Sequence, residues 1–180
     1  MTSHTRVDST IGFRLMTLMY WVRDLSQDPR RSLDMARLGR GMKVADYGCG
    51  PGSFTIPAAQ IVGDGGKVYA IDIHPLAISG VRGRASKKGL RNVEPILVQG
   101  YNTGIEASSI DRVLLIDTIH RIEDPGALFR ELRRILKQDG LLFMHKGHMS
   151  MSEQRDLVER SGLFEVRESQ DLTILAVTRA

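Results

Sequence analysis

Two carboxylates and a run of glycines are the residues of this chain best spaced to do chemistry. Positions 44–53 read VADYGCGPGS, with Gly48, Gly50 and Gly52 alternating and Asp46 two positions ahead of the first. Asp72 stands twenty positions beyond Gly52, inside the apolar run KVYAIDI. Missing side chains permit a tight turn, unusual backbone angles and close approach of a ligand. A loop between the first strand and first helix of an open α/β sheet lies where such sheets bind ligands, and a carboxylate at the second strand's tip can accept both hydroxyls of a ribose. The spacing is G-x-G-x-G, because Ser53 stands where the dinucleotide fingerprint needs its third glycine. Asp46 would repel a pyrophosphate and attract an ammonium or sulfonium. The ligand so described has a cationic end and a ribose.

Further candidates follow later apolar runs: Asp117 and His120 after the fourth, His145 and His148 at and after the fifth. Histidine titrates near neutrality and suits general base work if an acceptor must lose a proton. His148 reads equally well as a plain loop residue. Cys49 is read as a small residue in a crowded turn, not as a nucleophile.

These residues need a scaffold that brings run ends together. The stretches 42–48, 67–73, 94–100, 111–117 and 140–146 are short, mostly apolar and bounded by Gly, Asp or Pro, as suits parallel strands covered by helices on both faces. Helical spacing fills 53–62, 75–88 and 125–137. In the last, Leu128, Leu132, Ile135 and Leu136 share a face opposite Arg130, Glu131, Arg133, Arg134 and Lys137. Residues 102–109 give no helix signal. A helix over 152–161, capped by Ser152 and stopped by Gly162, leads to strands at 164–168 and 172–178 joined by a turn at Ser169-Gln170-Asp171. The expectation is an α/β fold, a doubly wound, mostly parallel seven-stranded sheet ending in an antiparallel hairpin.

With 180 residues, 42% hydrophobic and 26% charged, the chain reads as one domain, 1–180, able to bury a core without metals or disulfides. One cysteine gives no internal disulfide and no zinc-type spacing, so no metal is expected; with no signal-like N-terminus and no membrane span, a cytoplasmic location is expected. The net charge of +4 gathers at Arg82, Arg84, Lys87, Lys88 and Arg91. No aromatic residues interleave there for base stacking, so a solvated helix face is preferred over a nucleic-acid interface.

VADYGCGPGS, VYAIDIHP and IDRVLLIDTIHRIEDPGALFRELRRILKQDGLL together resemble the class I S-adenosylmethionine-dependent methyltransferases, within them the UbiE-like group acting on small molecules, over roughly residues 40 to 180. The resemblance implies a Rossmann-like fold, S-adenosylmethionine as cofactor and a small-molecule acceptor. It implies that Asp46 and the backbone from Gly48 through Cys49 to Gly50, with Gly52, face the methionine part, that Asp72 takes the ribose and that Ile73 packs on the adenine. Where the family often has Gly-Asp after the third strand, this chain has Gly100-Tyr101, so Gln99 or Asn102 is expected to accept the adenine hydrogen bond beside them. Asp117 falls with the cofactor residues, and His120 where the family often has a histidine beside the cofactor. His120 and His145 are the candidates for acid/base work. Alternatives from other classes are a non-catalytic cofactor-binding module that regulates a partner, and a methyltransferase acting on RNA or protein.

Before the sheet, residues 11–25 read as a helix with Phe13, Met16, Met19, Tyr20 and Trp21 on an apolar surface. The resemblance implies that the segment 1–38 forms a lid over the cofactor, with Tyr20 reaching it; packing as core is the equal alternative. No large cap is inserted elsewhere, which leaves the substrate pocket open or completed by a second copy or a partner protein.

Overall fold

Apolar runs separated by helical stretches form a single sheet in the computed structural model, which describes residues 11–13, 15, 17–19, 28–145, 147–170 and 173–178. After α1 (Pro29–Asp34), strand and helix alternate through β1 (Lys43–Tyr47), α2 (Thr55–Val62), β2 (Lys67–Asp72), α3 (Pro75–Lys87) and β3 (Val93–Leu97). Then come β4 (Ile110–Ile116), a 3-10 turn (Ile119–Arg121), α4 (Pro125–Ile135), β5 (Leu136–His145), α5 (Met151–Arg160), β6 (Phe164–Gln170) and β7 (Thr173–Thr178). The sheet order is β3-β2-β1-β4-β5-β7-β6, parallel through β5, with β7 antiparallel to both β5 and β6. β1 lies between β2 and β4, so the winding reverses there, and the carboxyl ends of these strands are where open α/β sheets bind ligands.

Side chains alternate across the strands and build a core on each face. On one, Val44, Val68, Leu114, Phe143 and Leu175 pack with Leu33 of α1 and Ala58, Ala59 and Val62 of α2. On the other, Ala45, Ile71, Val113, Leu115 and Met144 meet Leu128, Phe129 and Leu132 of α4 and Val158 of α5. Among the described residues no helix is long and apolar enough to cross a membrane.

Boundaries moved where local signals were outvoted. Helix α4 stops at Ile135 instead of Lys137, and β5 starts at Leu136 instead of Gly140, because fully buried Leu136 takes extended angles (φ −68°, ψ 137°) and pairs with Ile110. The register then shifts between Ile110 and Arg112. Gly140 fits this irregularity, since a Cβ there would lie 2.7 Å from Leu136 Cδ2. β3 ends at Leu97 instead of Gly100. Ser169 and Gln170, expected in the turn, pair with Ile174 and Thr173, while Asp171 lies outside the described residues. Residues 102–109 do lack a helix; Glu131 Oε1 anchors them by accepting from Thr103 N at 2.8 Å and Thr103 Oγ1 at 2.6 Å.

The last helix is capped by Ser150, not Ser152. Its side chain accepts from Glu153 N while the Glu153 carboxylate accepts from Ser150 N, a reciprocal capping box that satisfies two otherwise orphaned donors. Ser150→Ala is therefore expected to lower unfolding free energy by about 1 kcal/mol in chemical denaturation, whereas Ser152→Ala should change it little.

Candidate functional site

The turn after β1 needs glycine for reasons that lie inside the protein. Gly48, Gly50 and Gly52 have φ of 78°, 50° and 88°. Gly48 N and Cys49 N both donate to Ile71 O, at 2.8 and 3.0 Å, which folds the loop back onto β2. A Cβ on Gly48 would fall 2.3 Å from Thr118 Oγ1, and one on Gly52 would fall 3.0 Å from a Val81 methyl. Side chains of the fold thus take the closest space at two of the three glycines. Thr118, just past β4, escaped the sequence reading because nothing local pairs it with residue 48.

Asp72 ends β2 and joins that strand to the loop: Oδ2 accepts from Gly50 N at 2.9 Å and Oδ1 from His74 N at 2.8 Å. Burial pushes its carboxyl above the usual range against these hydrogen bonds. From α3, Arg84 donates to Pro51 O at 3.0 Å, giving one member of the basic cluster a task in holding the loop. Losing one charge-assisted bond at an exposed position is worth about 1 kcal/mol. Arg84→Ala should loosen the loop and weaken ligand binding there roughly fivefold by calorimetry, with little change in melting temperature.

Asp46 lies beneath the loop, 3% exposed, and its one side-chain partner among the described residues is the Thr55 hydroxyl at 2.5 Å. Burial, opposed by that hydrogen bond and reinforced by the charge of Asp72, pushes its carboxyl up to about 7. Among the described residues no cationic side chain offsets this. At the end of the loop, Ser53 Oγ is buried with no hydrogen-bond partner among the described residues. Cys49 is buried, and burial followed by the charges of Asp46 and Asp72 pushes its thiol well up, which suits a packed thiol and not a nucleophile.

The third strand's exit is held by tyrosines. Tyr47 OH donates to Gly100 O at 3.3 Å, and Tyr101 OH accepts from Asp124 N, the N-cap of α4, at 2.9 Å. Asn102 Oδ1 takes Gly104 N in a local turn at 2.9 Å, while Gln99 is exposed. Ile73 is half-buried against the core. Over this end, Phe13 is 5% exposed and its ring stacks on His74, with centroids 4.2 Å apart and planes at 18°. Residues 11–13, 15 and 17–19 are helical, with Ile11, Leu15, Leu18 and Met19 exposed. Met16, Tyr20 and Trp21 lie outside the described residues.

Asp117, His120 and His148 gather at the tips of β4 and β5. Asp117, itself at φ 50°, accepts on Oδ1 from His148 N at 2.9 Å, with His148 Nδ1 at 2.9 Å and His120 Nδ1 at 3.5 Å. Partial burial holds the His120 imidazole below its usual range, against the pull of Asp117. His145 ends β5 apart from this group, its Nε2 lying 3.5 Å from Ser32 Oγ of α1. The glycine loop and Asp72 are therefore joined by hydrogen bonds, Asp46 is bonded to Thr55 of α2, and Thr118 brings the tip of β4 against Gly48.

Known proteins are similar to this chain in sequence and fold. The model of the family described as a methyltransferase domain matches residues 38–171. Aklanonic acid methyltransferase DauC of Streptomyces sp. (strain C5) is 39% identical over 102 residues, which cover 56% of this chain and 46% of that protein. Nocamycin O-methyltransferase of Saccharothrix syringae is 33% identical over 111 residues, covering 62% and 40%. The chain thus matches less than half the length of these curated relatives. The crystal structure of an S-adenosylmethionine-dependent methyltransferase from Aquifex aeolicus superposes with a TM-score of 0.78 at 25% identity, covering 84% of this chain and 90% of that one. The chain belongs to the methyltransferase-domain family, of the class I S-adenosylmethionine-dependent type.

Proposed function

We propose that this protein transfers a methyl group from S-adenosylmethionine to a small organic acceptor, with the cofactor held at the tips of β1 and β2. The observation that carries the reading is the glycine loop hydrogen-bonded to Asp72 at the tip of β2, with the buried carboxyl of Asp46 near the end of β1. The residues fit that cofactor: two carboxyls pushed up by burial, Asp46 with no cationic partner among the described residues, complement a cationic ligand, and the Ser53 hydroxyl, unpartnered among those residues, adds a polar atom. When bound, the cofactor supplies an electrophilic methyl on sulfur, so the protein's work is chiefly positioning and exclusion of water.

In this reading Asp72 keeps lone pairs for the ribose hydroxyls, and the positive-φ loop from Gly48 to Gly52, Cys49 included, meets the methionine part. Asp46 acts from below by its charge. Ile73, Gly100, Tyr101 and Gln99 border the adenine. The Phe13 contact with His74 supports a lid role for the N-terminal segment, with Tyr20 as a further lid residue. His120, whose imidazole burial holds below its usual range, is the first candidate base, with Asp117 beside it; His145, turned toward Ser32, is the second. The names of DauC and the nocamycin enzyme support a small acceptor, and the single cysteine suits a cytoplasmic setting.

Asp72→Ala should weaken S-adenosylmethionine by on the order of 2 to 3 kcal/mol in calorimetry, with the fold intact by circular dichroism. Unchanged affinity would remove Asp72 from the ribose role. The activity itself is tested by incubating the protein and labelled cofactor with a panel of small hydroxylated and carboxylated compounds. Label transfer that is lost in Asp72→Ala supports the proposal; tight binding with no transfer to any class of acceptor supports a binding module instead.

A further inference from the structure

The Asp117 group has a geometry that acid/base work does not require. We propose that Asp117, His120 and His148 form a binding site for a divalent transition-metal ion at the tips of β4 and β5. Each offers one ligand atom, and all three atoms lie within 4.8 Å of one another. Donors held about 2 Å from one ion stand roughly 3 Å apart, and Asp117 Oδ1 lies 2.9 Å from His148 Nδ1 and 3.5 Å from His120 Nδ1. A hydrogen bond accounts for the shorter distance. It does not account for the longer one, at the outer limit of such bonds, which leaves a second Nδ1 close to the same oxygen. Two imidazole nitrogens converging on one carboxylate oxygen is an arrangement that an ion can enter.

The scaffold holds the donors in place. Asp117 is 13% exposed, its Oδ1 accepts from the His148 backbone N–H, and a Cβ on Gly147 would come within 1.8 Å of Oδ1, so only glycine lets the loop after β5 lie on this carboxylate. The two imidazoles lean on each other, with centroids 4.7 Å apart and planes at 39°. Two imidazoles and one carboxylate select zinc, cobalt, nickel or ferrous iron over magnesium or calcium, which prefer all-oxygen sites. Three protein ligands leave coordination positions open, and the His148 side chain is 72% exposed, so water or an oxygen of an acceptor can reach the ion. The zinc-type cysteine spacing that the sequence lacks is not needed for such a site. Metal binding is read directly by titration, without an assay of methyl transfer.

Tag-free protein stripped with chelator and dialysed is titrated with Co²⁺, followed by its visible ligand-field absorption, and then with Zn²⁺ in competition. One ion per chain at micromolar affinity or tighter is expected, with Co²⁺ displaced by Zn²⁺ and indifferent to millimolar Mg²⁺. Asp117→Asn, His120→Ala and His148→Ala should each weaken binding by about tenfold or more. If either variant at the half-buried positions misfolds, His148→Ala at its exposed position decides. Absence of a visible band and of submillimolar binding in the unaltered protein overturns the proposal, as does a band that survives His148→Ala unchanged.

Discussion

A Gly48→Ala variant is expected to melt well below the parent protein and to bind S-adenosylmethionine at least about tenfold more weakly. Alanine at φ 78° costs roughly 1 kcal/mol in backbone strain. Its Cβ would also fall 2.3 Å from Thr118 Oγ1 and 2.4 Å from Thr118 Cγ2, and a β-branched side chain whose hydroxyl donates to Ile116 O at 3.0 Å has little freedom to turn away. Strain and overpacking together come to about 2 to 4 kcal/mol. Much of that displacement falls on the Gly48 and Cys49 amides bonded to Ile71 O, and so on the loop proposed to meet the cofactor. Adding Thr118→Ala should recover part of the loss. A single variant with unaltered melting and binding would show that the Gly48 contact does not constrain the loop.

Asp46→Asn is expected to separate stability from binding. The carboxyl of Asp46 is pushed from 3.8 to about 7 in the folded protein. Between those values the folded state holds the proton more tightly than the unfolded chain, so Asp46 favours folding at low pH and loses that contribution as pH rises toward 7. The shift of about three units corresponds to roughly 4 kcal/mol once pH exceeds 7. Asparagine cannot ionise and still accepts from Thr55. Chemical denaturation should therefore find the variant more stable than the parent, by a margin that grows about 2 to 3 kcal/mol from about pH 5 to about pH 8. Cofactor affinity should fall in the same variant, since the charge opposite the cationic end is gone. A margin that does not change with pH would show that Asp46 ionises freely.

The parts of this site legible in the sequence were those carried by neighbours in the chain. Alternating glycines after an apolar run and a carboxylate ending the next run are local patterns, and β1, β2 and the loop fall where those patterns put them. Contacts that close the site span distant positions: Thr118 against Gly48, Arg84 on Pro51 and Phe13 on His74. Nothing in local composition pairs such residues. The start of β5 was misread because Lys137, Gln138 and Asp139 continue the helical polar pattern, whereas buried Leu136 pairing with Ile110 sets the backbone there. Ser150 was passed over for Ser152 although Glu153, three residues on, marks Ser150 as the cap. His120 and His145, grouped by their place at strand ends, separate because one follows the 3-10 turn onto Asp117 while the other points toward α1.

The central claim is that the tips of β1 and β2 hold S-adenosylmethionine and not a dinucleotide. Calorimetric titration of the purified protein with S-adenosylmethionine, repeated in the presence of excess NAD, tests it most directly. Saturable binding of one cofactor per chain, undisturbed by NAD, is expected. Absence of saturable binding, or displacement of S-adenosylmethionine by NAD at comparable concentration, would contradict it.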